Sequence, residues 1–312
     1  MTSGRWAFTY AAVEAVPAAR PAVWARFADY LELAKPRIAM MALLTVTVGF
    51  TLGGGGTWSF AGLLSALVGI GLVAAASGSL NQLIERHTDA LMVRTANRPL
   101  PAGRLRPLEA AGFGIACGLA GVVILFVESN ALTAVLALST LCLYVVLYTP
   151  LKRYTALSTA IGAIPGALPP VLGWTASGAP LGIEAFSLFA ILFVWQFPHF
   201  LAIAWLYRAD YAAAGLKMLP GGRSLRRGRI GLLASIYAAV LIPVSLIPGN
   251  VALGGGSYRI AAIFLGLGYL AAAVRFATNE TRETARGLLY SSLVYLPLLL
   301  SVLTWDHVRL LS

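Results

Sequence analysis

Apolar residues gather into nine stretches, at 38–52, 58–80, 108–127, 131–147, 157–174, 185–205, 230–247, 260–274 and 288–303. Most approach the ~20 residues that an α-helix needs to cross a hydrocarbon core. The pattern predicts an all-α, polytopic membrane protein of about nine transmembrane helices, the first and eighth of them short. The polar breaks between stretches are uneven. Breaks such as 53–57 and 129–130 are tiny, whereas 81–107 and 207–229 are long, with the short break 148–154 between them. These three fall on one side of the membrane, so a chemical site should face that side, in a central cavity ringed by the helices and open to the cytoplasm. Ahead of the first stretch, Trp24, Phe27, Tyr30, Leu31 and Leu33 alternate with Arg26, Asp29 and Glu32, as in a helix lying on a leaflet surface. Residues 1–34 are therefore expected to form an N-terminal extension and residues 35–312 the transmembrane domain. Residues 1–37 hold no uninterrupted apolar core, so no cleaved signal peptide is expected.

Composition rules out a water-soluble globule: 59% of residues are hydrophobic and 11% charged, with a mean hydropathy of +0.80. A net charge of +11 would otherwise suggest nucleic acid. Of the 23 Lys and Arg, however, all but Arg259 and Arg309 fall on the side of the long breaks. That asymmetry is the positive-inside signature; it puts the N-terminus and the long loops in the cytoplasm of a bacterial inner-membrane protein and gives nucleic acid no role. Trp58, Trp174 and Trp305 come at the opposite ends of spans, where an interfacial aromatic belt belongs. Cys117 and Cys142 lie inside spans and point to no disulfide scaffold.

The second stretch continues into Asn81-Gln-Leu-Ile-Glu85-Arg-His-Thr-Asp89. On a helix, residues four apart share a face, so Asn81, Glu85 and Asp89 form one polar stripe. Their hard oxygen atoms suit Mg²⁺ that also takes oxygens from a phosphate. The spacing alone equally fits a solvated helix extension whose acids pair with Arg86 or Arg94. Arg94 and Arg98 are again four apart, and guanidinium forks match phosphate oxygens, although topogenic charge explains them as well. Pro99 and Pro101 are expected to end the helix and turn the chain. Lys152 and Arg153 add two cations beside the turn at Tyr148-Thr-Pro. The sixth stretch carries Trp195-Gln-Phe-Pro-His199 within the apolar run; polar groups at that depth usually face a cavity or a partner helix, and His199 fits a cofactor contact, a base or a packed histidine. Beyond it come Tyr207, Asp210 and Lys217. The cluster Arg223–Arg229 reads as a topogenic or lipid-contacting patch rather than a catalytic one.

Together these blocks resemble the UbiA-type membrane prenyltransferase superfamily, and within it the protohaem IX farnesyltransferase branch. The stretch 79–105 resembles the branch's first signature, 148–153 its second, and 195–200 with Asp210-Tyr211…Gly215…Met218-Leu219-Pro220 its third. The similarity runs from about residue 33 to the C-terminus. It implies that Asn81, Glu85, Asp89 and Asp210 serve Mg²⁺-diphosphate, and that Arg94, Arg98, Lys152, Arg153 and Lys217 hold phosphate oxygens. It further implies that His199, Trp195, Tyr148 and Tyr207 line the haem or prenyl pocket. The implied reaction transfers farnesyl from farnesyl diphosphate to a vinyl group of haem b, with water added, in membrane lipid; a haem A synthase or oxidase-assembly protein is the implied partner. His87 and Glu85 depart from the superfamily's usual acids, and the second motif has one acid rather than two, which leaves the number of Mg²⁺ ions open. Competing readings are a prenyltransferase with an aromatic acceptor, a noncatalytic haem-binding assembly protein, and a secondary transporter. The transporter lacks support from internal repeats or mid-membrane charge.

Overall fold

A computed structural model describes residues 23–57, 59–219 and 228–312, and among them every regular element is helical. In chain order these are α1 (Val23–Leu33), α2 (Pro36–Gly53), α3 (Phe60–Asp89), α4 (Pro107–Glu128), α5 (Ala131–Cys142), α6 (Thr149–Leu151), α7 (Ser158–Ala167), α8 (Pro169–Ala176), α9 (Ile183–Leu206), α10 (Arg208–Ala213), α11 (Arg229–Asn250), α12 (Gly256–Thr278) and α13 (Arg282–Leu311). A π-helical turn, Leu143–Tyr148, joins α5 to α6 without a break. Counting that run as one, eight helices among the described residues are long and apolar enough to cross a membrane. The remaining expected span, 157–174, is two short helices in series. Pro169 and Pro170 follow Leu168 at the junction, and a proline supplies no N–H to carry the helical ladder across.

The helix starts follow local chemistry. Proline opens α2, α4 and α8, where its missing N–H costs nothing. The side chains of Ser59, Asn130 and Thr281 accept first-turn N–H groups of α3, α5 and α13. In a lipid environment packing rather than water exclusion draws helices together, and small residues permit the closest approach. Here α2 crosses α8 at glycines: a Cβ on Gly49 would stand 1.9 Å from the Pro170 carbonyl oxygen, and one on Gly173 2.0 Å from that of Val46. One core of Val46, Phe50, Ile70, Val73 and Leu125 ties α2, α3 and α4 together. A larger one, centred on Leu188, Leu241, Tyr269 and Tyr295, unites α9, α11, α12 and α13.

Trp174 does not belong to an interfacial belt. It is buried beside the α2–α8 crossing, and its indole N–H donates to the Pro180 carbonyl at 2.9 Å. Trp305 is exposed as expected, whereas Trp58, Arg5, Arg20, Arg223, Arg226 and Arg227 lie outside the described residues. The amphipathic stretch before α2 is indeed helical. Trp24 and Phe27 of α1 face outward, while Asp29 is buried and bonded to Arg104 at 2.7 Å.

The long connections after α3 and α9 meet at one end of the bundle. Met92 from the first packs with Ala214 and Leu216 from the second, flanked by Tyr211 and Met218. The Lys217 N–H then donates to the Lys152 carbonyl at 2.8 Å, joining the loop after α6 to the same assembly.

Candidate active site

Helix α3 runs unbroken through Asn81, Glu85 and Asp89, so the polar stripe exists. It is not a solvated extension: the three residues are 1%, 8% and 1% exposed. The helix stops at Asp89, ahead of the prolines expected to end it. There the Thr95 hydroxyl donates to the Asp89 carbonyl at 2.8 Å, occupying one of the acceptors that every helix end leaves free. Arg94 and Arg98 thus stand on a chain of turns rather than on a helix face, and both still reach the site.

The stripe lines a small cavity of about 100 Å³, with Lys35, Arg94, Arg98, Tyr144, Tyr148, Lys152 and Tyr211 around it. Lys152 Nζ donates to Glu85 Oε1 at 2.8 Å, and Arg98 Nη1 to Asp89 Oδ2 at 2.7 Å. The Asn81 amide nitrogen donates to Glu85 Oε2 at 3.0 Å and to the Thr149 hydroxyl at 3.1 Å. Its oxygen accepts from Lys35 Nζ at 2.5 Å. Asp89 Oδ1 is buried and has no hydrogen-bond partner among the described residues. The acids therefore pair with Arg98 and Lys152, not with Arg86 or Arg94. The Arg86 guanidinium bonds instead to the Leu83 carbonyl, and that of Arg94 lies 5.0 Å above the Tyr207 ring.

Cations outnumber acids here. Two carboxylates face Lys35, Arg94, Arg98 and Lys152, which makes the cavity a receptor for added negative charge. The surplus registers on Lys35, whose ammonium is pushed down to about 7 by burial and by Arg98 and Lys152, against the pull of Glu85 and Asp89. Lys152 sits above the ordinary lysine value: burial works against it, and Tyr148 and Glu85 outweigh burial. Its Nζ also lies 4.3 Å from the centre of the Tyr148 ring.

Lys35 and Tyr144 were not singled out from sequence. Lys35 lies 46 residues from its partner Asn81, and no local spacing links them. Its backbone is left-handed, φ 51° and ψ 59°, a conformation costly for a residue with a Cβ. The strained turn into Pro36 aims the side chain at the stripe. Of the other expected residues, Arg153 and Lys217 are exposed and outside the cavity lining, and Asp210 sits half-buried on α10 beside the lining residue Tyr211.

Trp195 and His199 lie deeper in the bundle. His199 is seven residues from the end of α9, or about 10 Å at 1.5 Å per residue. The Ser292 hydroxyl lies 2.7 Å from His199 Nδ1 and 2.6 Å from the Leu289 carbonyl; a hydroxyl that donates to the carbonyl accepts from Nδ1–H. Trp195 stacks on the imidazole at 5.0 Å and donates its indole N–H to the Ser292 carbonyl. In that tautomer Nε2 keeps a lone pair. Neither the sequence nor its spacing reveals Ser292, which lies 93 residues from His199.

Known proteins resemble this chain in sequence and in fold. A protein of Solibacter usitatus named protoheme IX farnesyltransferase is 44% identical over 292 residues, covering 89% of this chain and 98% of that protein. One of the same name from Myxococcus xanthus is 40% identical, covering 90% and 95%. Among solved structures, a digeranylgeranylglyceryl phosphate synthase superposes with a TM-score of 0.76 at 16% identity, covering 91% of this chain and 99% of that one. A UbiA homologue from Archaeoglobus fulgidus bound to GPP and Mg²⁺ gives 0.60 at 19% identity, covering 88% and 99%. These two structures share the fold. The UbiA prenyltransferase family matches residues 42–296, a range that holds Asn81, Glu85 and Asp89, and this chain belongs to it.

Proposed function

We propose that the protein transfers a farnesyl group from farnesyl diphosphate to a vinyl group of haem b, with addition of water, giving haem O and diphosphate. The observation that carries the reading is the convergence of Asn81, Glu85 and Asp89 with four cations at one mouth of a membrane-embedded bundle, in a chain 44% identical to a protein named for this reaction. Lys35, Arg94, Arg98 and Lys152 receive the diphosphate and meet the charge that develops on it as the C1–O bond breaks. Arg153 and Lys217 attract it from the rim. The tail extends from this polar mouth between the helices, where water is scarce and the allylic cation survives long enough to be attacked. The Tyr148 ring faces that cation, as ring quadrupoles face other cations.

The residues fit Mg²⁺. Asp89 Oδ1 is buried and unpartnered, and Asn81 and Glu85 add hard oxygens on the same helix face. Mg²⁺ bound here would share its coordination between these oxygens and those of the phosphate. Asn81, Glu85 and Asp89 would hold it, with Asp210 contributing from α10, and when bound it would neutralise charge on the leaving diphosphate.

Haem b presents its macrocycle to the deeper groups in this reading. His199 offers the Nε2 lone pair, with Trp195 and Tyr207 on the aromatic walls. The site and the N-terminus face the cytoplasm of a bacterial inner membrane, as the crowding of Lys and Arg at that end supports. A haem A synthase or oxidase-assembly protein receives the product. The test is incubation of detergent-purified protein with haem b, farnesyl diphosphate and Mg²⁺, followed by mass spectrometry of the haem. A product carrying farnesyl plus water is expected, and its absence would overturn the reading. Activity persisting in Asp89→Ala would remove the metal role while leaving the reaction.

A further inference from the structure

A second feature at the site end of the bundle is untouched by the chemistry above. Between the last turns of α12 and the first turns of α13 runs an open groove of about 810 Å³, the larger of the two cavities described here. Arg275 lines one wall, and Arg282 and Arg286 the other. The last two are four residues apart on α13 and so project from the same side. Glu283 is the one acid in the lining, and its contact with Arg275 is long, at 3.6 Å, and exposed. Arg282 and Arg286 make no ion pair among the described residues.

Between the arginines the lining is small or apolar. It comprises Ala271, Ala272, Thr284, Gly287 and Leu288, and a Cβ built on Gly287 would meet no atom within 4 Å. Tyr290, 62% exposed, flanks the groove one helical turn deeper than Arg286. Positive charge needed only for topology could be spread anywhere along these ends. Here three guanidinium groups stand at the head of a furrow that runs down into the lipid-facing surface, with an aromatic residue at the depth where polar and apolar regions meet.

We propose that this groove binds one anionic phospholipid, with its headgroup phosphate among Arg275, Arg282 and Arg286 and an acyl chain along Ala271, Ala272 and Gly287. Guanidinium forks bind phosphate oxygens bidentately, and basic pockets between helices take anionic headgroups. The excess of two positive charges over Glu283 commits the site to an anionic lipid rather than a zwitterionic one.

The experiment reconstitutes the full chain in phosphatidylcholine nanodiscs with and without phosphatidylglycerol, then measures Tm and the lipid retained in native mass spectrometry. Phosphatidylglycerol is expected to raise Tm and to remain bound. In the double variant Arg282→Gln, Arg286→Gln its retention should fall roughly tenfold or more, since each arginine near the surface contributes to anionic-lipid affinity. Gly287→Leu changes no charge and puts a bulky side chain into the open space beside Gly287; it should lose the retained lipid and the Tm gain as well. Prenyl transfer measured in pure phosphatidylcholine should stay at the wild-type level in both variants, which shows that they fold. No effect of phosphatidylglycerol on the wild type, or full retention in either folded variant, overturns the proposal. Equal protection of the wild type by inorganic phosphate in pure phosphatidylcholine discs also overturns it, because the site would then recognise an anion and not a lipid.

Discussion

Two aspartates at opposite ends of the bundle share every simple descriptor. Asp89 is 1% exposed and Asp306 fully buried, and each has one carboxylate oxygen without a hydrogen-bond partner among the described residues. Their surroundings differ. Asp306 Oδ2 accepts the N–H groups of Gly255 at 2.7 Å and Tyr258 at 3.0 Å, at the start of α12. The N-cap of that helix is a glycine with no side chain to satisfy its first turn. Asp306, from α13, supplies the missing cap across the helix pair. Asp89 is held instead by a single side-chain cation, Arg98, at the wall of a cavity whose cations outnumber its acids. Burial and an unpaired oxygen therefore do not mark a site by themselves. A carboxylate tied to fixed backbone donors is structural, whereas one tied to exchangeable cations at a cavity can trade partners with a ligand.

Substitution by asparagine tests that distinction, because it removes the charge and keeps an acceptor oxygen. Asp89→Asn should lower kcat/KM by ~100-fold or more, the usual scale for losing a group that meets transition-state charge, with Tm little changed; wild-type turnover in this variant would place Asp89 with Asp306 as a structural residue. The next largest effect is on stability. Asp306→Ala leaves the buried Tyr258 N–H unpaired, at about 1–3 kcal/mol, and the half-buried Gly255 N–H unpaired as well, so Tm should drop by several degrees while activity at low temperature persists. Asp306→Asn should recover most of that loss, because an asparagine oxygen also caps a helix. A Tm for Asp306→Asn as low as that of the alanine variant would show that charge matters at both ends and would break the comparison. The smallest effect concerns the partner cation: Lys35→Met should raise KM for farnesyl diphosphate about tenfold, the scale of one charge-assisted hydrogen bond, and alter the KM for haem much less.

The Asn81, Glu85 and Asp89 stripe could be read from the sequence because α-helical spacing is local, and α3 keeps it through its final turn. The end of that helix was not legible. Pro99 and Pro101 are strong breakers, yet the Thr95 hydroxyl closes α3 at Asp89 first, through a contact that no spacing rule encodes. Trp174 had the right position for a headgroup belt, but its indole N–H finds the Pro180 carbonyl inside the protein. The span at 157–174 read as one apolar run, while its prolines divide it into α7 and α8.

The order of apolar runs, the crowding of cations at one end and the acidic stripe are written along the chain. They depend only on hydrophobic length, charge placement and helical periodicity, which any segment expresses without its neighbours. Which cations reach Glu85 and Asp89, which hydroxyl meets His199, and why buried Asp306 is a cap were decided by tertiary structure. Arg98 lies only nine residues from Asp89, but Lys152 lies 67 from Glu85, Asp306 lies 51 from Gly255 and Ser292 lies 93 from His199. Such meetings are fixed by how helices cross, with glycines such as Gly49 and Gly173 admitting the closest approach.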